Sequence, residues 1–227
     1  VLKFIFDDLD RSATIYKAKG AYSNIALNNA IKENRLSGVD SSFVSALVYG
    51  VLERRITLDY IIRSYSKIPL RKIETKTKNI LRLGILQLLF MDKVPDSAAV
   101  NESVNLAKKH KLQKSSGFIN GILRNITRAE DKYTLPDEKD RARYLSVKYS
   151  VPENIVKLWV NSYGENNAEQ LLASLNGRAK ICCRVNTLRT DADTLIKKLS
   201  DEGVVAEKIP FIDNALYLEN TGSVERL

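Results

Sequence analysis

Apolar residues recur every three to four positions through the first two-thirds of the chain, the period of one helix face. Leu2, Ile5, Phe6 and Leu9 mark a first helix, and Ile25, Leu27, Ala30 and Ile31 a second. Phe43, Val44, Leu47, Val48, Val51 and Leu52 form the stripe of a third, which Asp40 or Ser41 can cap. Thr57 opens a short fourth helix bearing Leu58, Ile61, Ile62 and Tyr65, and Pro69 closes that region. From Thr77 to Met91 the pattern changes: Ile80, Leu81, Leu83, Ile85, Leu86, Leu88, Leu89 and Phe90 leave almost no polar face. Such a helix belongs at the centre of a bundle. Gly84 within it costs about 1 kcal/mol against Ala in propensity, so it predicts a close approach by another backbone. A helix from Pro95 and Asp96 to about His110 turns Ala99, Val100, Val104, Leu106 and Ala107 inward. Another, opening at Ser115 or Ser116, does the same with Phe118, Ile119, Ile122, Leu123 and Ile126. The short connections between these helices favour a compact bundle.

The periodicity breaks at residues 129–137, and a domain boundary is expected at about 130–137. A helix follows over Asp137–Tyr149, and Pro152 suits the first turn of the next, with Ile155, Val156, Leu158, Trp159 and Tyr163 on it. A third, capped by Asn166 or Asn167, carries Leu171, Leu172 and Leu175 and ends near Gly177. Strand character appears only afterwards, at Lys180–Val185, Val204–Ala206 and Ala215–Leu218. Thr190 and Asp193 resemble a capping box for a helix with Leu195, Ile196 and Leu199, and Gly203 sits where its C-terminal glycine belongs. The fold class is therefore mainly α: a helical bundle, further helices, then a small α+β unit of strand–helix–strand–strand order.

Charge adds a second layer. Residues 51–128 hold 16 Lys+Arg against 6 Asp+Glu, whereas residues 129–227 hold 14 against 16. One folded segment thus carries the basic excess, and concentrated Lys and Arg draw polyanions and contact phosphates. Other chemistries are poorly supplied. The two cysteines, Cys182 and Cys183, are adjacent, which strains a mutual disulfide and forms no Cys-x-x-Cys clamp. With His110 the one histidine, no metal site is expected. His110 sits among Lys108, Lys109 and Lys111, without an adjacent carboxylate, and reads as surface or RNA-facing. No glycine-rich phosphate loop occurs. The apolar runs are too short to cross a bilayer, and a cytoplasmic location is expected. By residue inventory the chain reads as a binding unit.

Several runs carry a family resemblance. They are Gly20–Leu27, Val48–Arg55 with Thr57-Leu58-Asp59, Asn79–Gly84, Val94-Pro95, Ala99–Glu102 with Leu106–Lys108, and Gly117–Asn120 with Leu123-Arg124. In this order they resemble the N-terminal region of the bacterial Sun/RsmB (Fmu) ribosomal RNA cytosine-C5 methyltransferases, an all-helical domain related to the antitermination factor NusB. Arg184–Leu188 resembles the small module preceding the catalytic domain in that family. The resemblance implies a NusB-like RNA-binding domain over 1–130, a helical linker region over 138–176 and a pre-catalytic α+β module over 178–227. It also implies ribosomal RNA of the small subunit as partner, and S-adenosylmethionine as cofactor of a full-length protein with its own C-terminal methyltransferase domain. The family's S-adenosylmethionine loop and its Pro-Cys and Thr-Cys motifs have no counterpart here, and Cys182-Cys183 matches neither. No catalytic, cofactor-binding or metal-binding residue is therefore assigned.

RNA contacts are expected at Arg54 and Arg55, at Lys108, Lys109, Lys111 and Lys114, at Arg124 and Arg128, and at Arg184 and Asn186. Arg82, inside the most apolar helix, needs a carboxylate partner, with Glu102 the expected one. The alternative to a methyltransferase portion is a stand-alone NusB-like antitermination factor binding RNA and a ribosomal protein.

Overall fold

A computed structural model describes residues 23–36, 38–175 and 180–221 of the chain. The helix expected at Leu2–Leu9 lies outside them. Ten α-helices and three strands occur among the described residues. The bundle comprises α1 (Ser23–Glu33), α2 (Gly38–Glu53), α3 (Arg55–Tyr65), α4 (Thr75–Phe90), α5 (Asp96–Lys109) and α6 (Gln113–Arg128). Its core is one continuous apolar cluster from Leu27 to Ile126. The all-round apolar segment becomes α4, with ten of its residues buried from Thr77 to Leu88, and it packs on α2, α3, α5 and α6. Two expected core positions face outward instead: Ile25 and Leu52 are exposed. Gly84 does admit a close neighbour, but of side chains rather than backbone. A Cβ there would lie 2.7 Å from Leu123 Cδ1 and 2.8 Å from Ser103 Oγ. Because α5 and α6 both press on this point, nothing larger than hydrogen fits without displacement.

Arg82 is satisfied by a different carboxylate from the one expected. Its Nε donates to Asp59 Oδ1 at 2.7 Å and its Nη2 to Asp59 Oδ2 at 2.8 Å, while Nη1 donates to Asn79 Oδ1 at 2.9 Å. Asp59 stands on α3, beside α4, whereas Glu102 is exposed on α5 and accepts from the Asn105 side chain.

The helices of residues 141–174 continue the same body. These are α7 (Arg141–Tyr149), α8 (Glu153–Tyr163) and α9 (Glu165–Ser174). The boundary expected at 130–137 is bridged by hydrogen bonds. Tyr65 Oη donates to the Lys132 carbonyl at 2.7 Å, Thr57 Oγ1 to the Val147 carbonyl at 2.5 Å, and the Ile56 N–H to Ser150 Oγ at 3.0 Å. Thr57 therefore lies inside α3 as a buried tie to α7 rather than opening the helix. The chain divides into two compact units, Val1–Asn176 and Gly177–Leu227. Cap positions shift from those expected: α7 starts after Asp140, and Gly164 rather than an asparagine precedes α9. Leu145, Val156 and Leu172 form the small core of this layer, while Leu158, Tyr163, Leu171 and Leu175 stay exposed.

Glu169 of α9 locks this layer. It takes hydrogen bonds from Arg141, from Lys148 Nζ at 2.9 Å and from Tyr149 Oη at 3.0 Å. The Lys148 hydrogen bond is the main cause that holds the Glu169 carboxyl below its ordinary 4.5. The same bond, with burial opposing, raises Lys148 above its ordinary 10.5. A depressed carboxyl contributes stability that is present above pH 4.5 and lost as pH falls below it; the raised ammonium contributes fully below pH 10.5. Urea denaturation of Glu169→Gln at neutral pH is expected to show a loss of about 1 kcal/mol, since these side chains are a quarter to a third exposed. The acid limb of stability against pH is expected to flatten in that variant. An acid limb identical to that of the unaltered protein would locate the titration elsewhere.

The second unit holds β1 (Ile181–Arg184), α10 (Ala192–Asp201), β2 (Val205–Lys208) and β3 (Ala215–Glu219). The sheet order is β1-β3-β2 and both pairings are antiparallel, with Cys183 opposite Leu216 and Ala206 opposite Leu218. Those residues share one face because directly paired residues point the same way, and they pack with Leu195, Ile196 and Leu199. The cap of α10 lies one residue past the expected Thr190: the Asp191 side chain accepts from the Thr194 N–H at 2.9 Å and the Thr194 hydroxyl at 2.7 Å. Gly203, at φ +81°, ends that helix in the left-handed region as its sequence position predicts.

Candidate nucleic-acid interface

The connection between α5 and α6 is a tight basic turn. Lys108 and Lys109 end α5, Lys111 takes φ +59°, and Lys114 lies in the first turn of α6. All four are exposed, which leaves their ammonium groups free to track a phosphate backbone. His110 caps α5 and is half-buried there, not on open surface.

Arg124 and Arg128 do not join that turn. Ten residues of helix separate Lys114 from Arg124, about 15 Å at the α-helical rise. The antiparallel packing of α5 on α6 sets the two arginines beside the start of α5. There Asp96, Ser97, Val100, Asn101, Arg124, Thr127 and Arg128 line an open cleft of about 280 Å³. Arg124 Nε donates to Asn120 Oδ1 at 2.9 Å. Neither guanidinium has a carboxylate within ion-pair distance among the described residues; Asp96 is instead 3.7 Å from Lys132 Nζ. The cleft thus carries two arginines with no ion-pair partner among the described residues, the Asp96 carboxylate and several neutral hydrogen-bonding groups.

Arg54 is engaged within the fold. Its guanidinium lies over the Phe90 ring, 4.5 Å from the centroid, and Phe90 in turn meets Tyr133 at 6.4 Å. The arginine is half-buried, so part of its role is packing at the α2–α3 junction. Arg55, in the first turn of α3, is exposed.

In the second unit Arg184 is exposed at the end of β1. Asn186 folds its side chain back, with Oδ1 accepting from the Leu188 N–H at 3.2 Å, and thereby shapes the turn into α10. The adjacent cysteines split: Cys182 is exposed, and burial, with the neighbouring Cys182 adding, pushes the Cys183 thiol up. At neutral pH Cys183 is therefore a protonated thiol and a poor nucleophile.

Comparison with known proteins decides what this bundle is. The NusB family matches residues 3–128, more than half of the 227 residues. The chain belongs to the NusB family. A second match, the ferredoxin-like domain of RsmF/B-type methyltransferases, covers residues 151–225 and so includes α8 and α9 with the sheet. A relative from Bacillus subtilis named as a probable ribosomal RNA small subunit methyltransferase B is 34% identical over 198 residues, covering 87% of this chain. This chain spans 44% of that relative's length. A transcription antitermination protein NusB from Nocardioides sp. is 36% identical over 111 residues, covering 48% of this chain and 81% of its own. The crystal structure of PH0851 shares the fold, with a TM-score of 0.66 at 16% identity, over 99% of this chain and 50% of that one.

Of the sequence-predicted contacts, the NusB-matched segment contains both basic groups and Arg54 and Arg55. Sequence reasoning missed the neutral lining of the cleft, Ser97, Asn101 and Thr127. Asn101 carries a signal only through the family resemblance. Nothing in local pattern shows that residues 97 and 128 lie together, because that follows from how two helices pair. Among the described residues no helix is long and apolar enough to cross a membrane.

Proposed function

We propose that this chain is the RNA-docking portion of an S-adenosylmethionine-dependent ribosomal RNA cytosine-C5 methyltransferase, acting in the cytoplasm on small-subunit RNA. The observation that carries this reading is the extent of the methyltransferase match. It runs through both units, whereas the NusB-named relative covers only 48% of the chain. A stand-alone antitermination factor needs the bundle alone and leaves the 151–225 match without a purpose.

The chemistry available here is positioning. Lys108, Lys109, Lys111 and Lys114 would hold one stretch of phosphates, and Arg124 and Arg128 a second, fixing the register of the RNA. Arg55 would add to this, and Arg184 would do the same from the sheet unit, with Arg54 and Asn186 contributing from their structural places. S-adenosylmethionine supplies the methyl group in the implied full-length reaction. The residues described here do not fit it: the β1–α10 connection, Val185–Asp191, contains no glycine and is turned by Asn186, so it offers no phosphate- or cofactor-cradling loop.

Filter binding to small-subunit ribosomal RNA fragments tests the docking role. With about six phosphates neutralised, affinity is expected to fall about 1000-fold from about 50 to about 200 mM salt. Absence of retention at the lower salt, or an affinity indifferent to salt, would defeat the reading.

A further inference from the structure

The two basic groups differ in hydrogen-bonding chemistry, and the difference has a functional consequence. Lysine ammonium groups are donors only. The four exposed lysines of the α5–α6 turn are therefore suited to phosphate, which RNA and DNA share. The cleft is built otherwise. Arg124 and Arg128 stand on one wall, with Arg128 unpaired among the described residues. Ser97 and Asn101 stand on the other, both exposed at the cleft. A serine hydroxyl and an asparagine amide each offer a donor and an acceptor. The ribose 2′-hydroxyl is likewise both, and it is the group that separates RNA from DNA at a given site. Val100, 5% exposed, supplies an apolar floor. The opening, about 280 Å³, accommodates a single sugar with its phosphate rather than a folded ligand. Asp96, drawn toward Lys132, leaves the arginines' charge available to an anion.

Resting on the RNA-docking reading above, we propose that the α5–α6 cleft is a ribose-phosphate subsite. The two arginines take the phosphate while Asn101 and Ser97 hydrogen-bond the adjacent 2′-hydroxyl, so that this cleft selects RNA over DNA.

The test measures affinities of the full chain for a single-stranded RNA and a DNA of the same sequence. The unaltered protein is expected to favour RNA about ten-fold. The double variant Ser97→Ala, Asn101→Ala is expected to lose about five- to ten-fold in RNA affinity and almost nothing in DNA affinity, as two neutral hydrogen bonds disappear. Its salt dependence is expected to stay unchanged, because no charge is removed. Alanine is the best helix former, and circular dichroism verifies the fold of the variant. Lys108→Gln with Lys109→Gln is expected to weaken RNA and DNA alike. An RNA preference that survives the cleft variant, or an equal loss for both nucleic acids, overturns the subsite. So does an unaltered protein that binds RNA and DNA equally, and in all three cases docking itself stands. An unaltered protein that binds neither nucleic acid defeats the docking reading as well.

Discussion

Asp59→Ala is expected to lower the stability of the helical unit by about 3 kcal/mol in urea denaturation, an effect large enough to threaten folding in the cell. The side chain removed is small and lies at the edge of the core, so lost packing does not account for this. The cost comes from Arg82, whose side chain is 13% exposed and whose guanidinium donates to both Asp59 oxygens. With Asp59 gone the charge remains in place, held only by Asn79, and a largely buried cation without its counter-ion is expensive. The value sits at the low end for a broken buried pair because neither partner is wholly sealed from water. A double variant, Asp59→Leu with Arg82→Met, recovers most of the loss, since it removes both charges together. Glu102→Ala stays within about 0.5 kcal/mol of the unaltered protein, as an exposed helix position does. Equal losses from Asp59→Ala and Glu102→Ala would contradict the pairing.

Reversing Lys108, Lys109, Arg124 and Arg128 to Glu together is expected to reduce affinity for small-subunit ribosomal RNA by about 100-fold or more at low salt. The basis is the replacement of attraction by repulsion at each phosphate contact, at positions exposed on the helices. The geometry adds a sharper expectation. The two lysines and the two arginines lie at opposite ends of the α5–α6 hairpin, so the two double reversals act on different phosphates. Their effects on the logarithm of affinity are expected to add, as for sites well beyond 10 Å apart. Each reversal also lowers the slope of affinity against salt. Unchanged affinity in the fourfold variant would remove this surface from RNA binding altogether. Loss confined to one pair would show that a single end of the hairpin makes the contact.

Much of this molecule is legible in the linear pattern. The run Ile80–Phe90, apolar on all sides, could be placed only in the middle of a bundle, because a helix without a polar face has no tolerable exposed orientation. The basic excess of residues 51–128 and the family motifs were likewise local facts. Errors cluster where a residue's partner comes from another element. Local pattern shows that Arg82 needs a carboxylate but not which one, since Asp59 and Glu102 lie at comparable distances along the chain. The packing of α3 on α4 chooses Asp59. Thr57 suits a helix start by residue type, and its buried bond to Val147 arises only because α7 folds back over α3. The break in periodicity at 130–137 likewise gives no sign of the hydrogen bonds that reach across it.

The same division holds for the candidate interface. Sequence alone determined the helical class, the strand–helix–strand–strand order of the second unit, the family and the identity of the cations. These depend on periodicity, charge and motif, all properties of near neighbours. Only the tertiary structure decided that the cations form two groups, that Arg54 is stacked on Phe90, and that Ser97 and Asn101 face Arg124 and Arg128. Those relations join residues far apart in the chain, and they are set by which helix faces bury against each other, a choice made by the packing of the whole core.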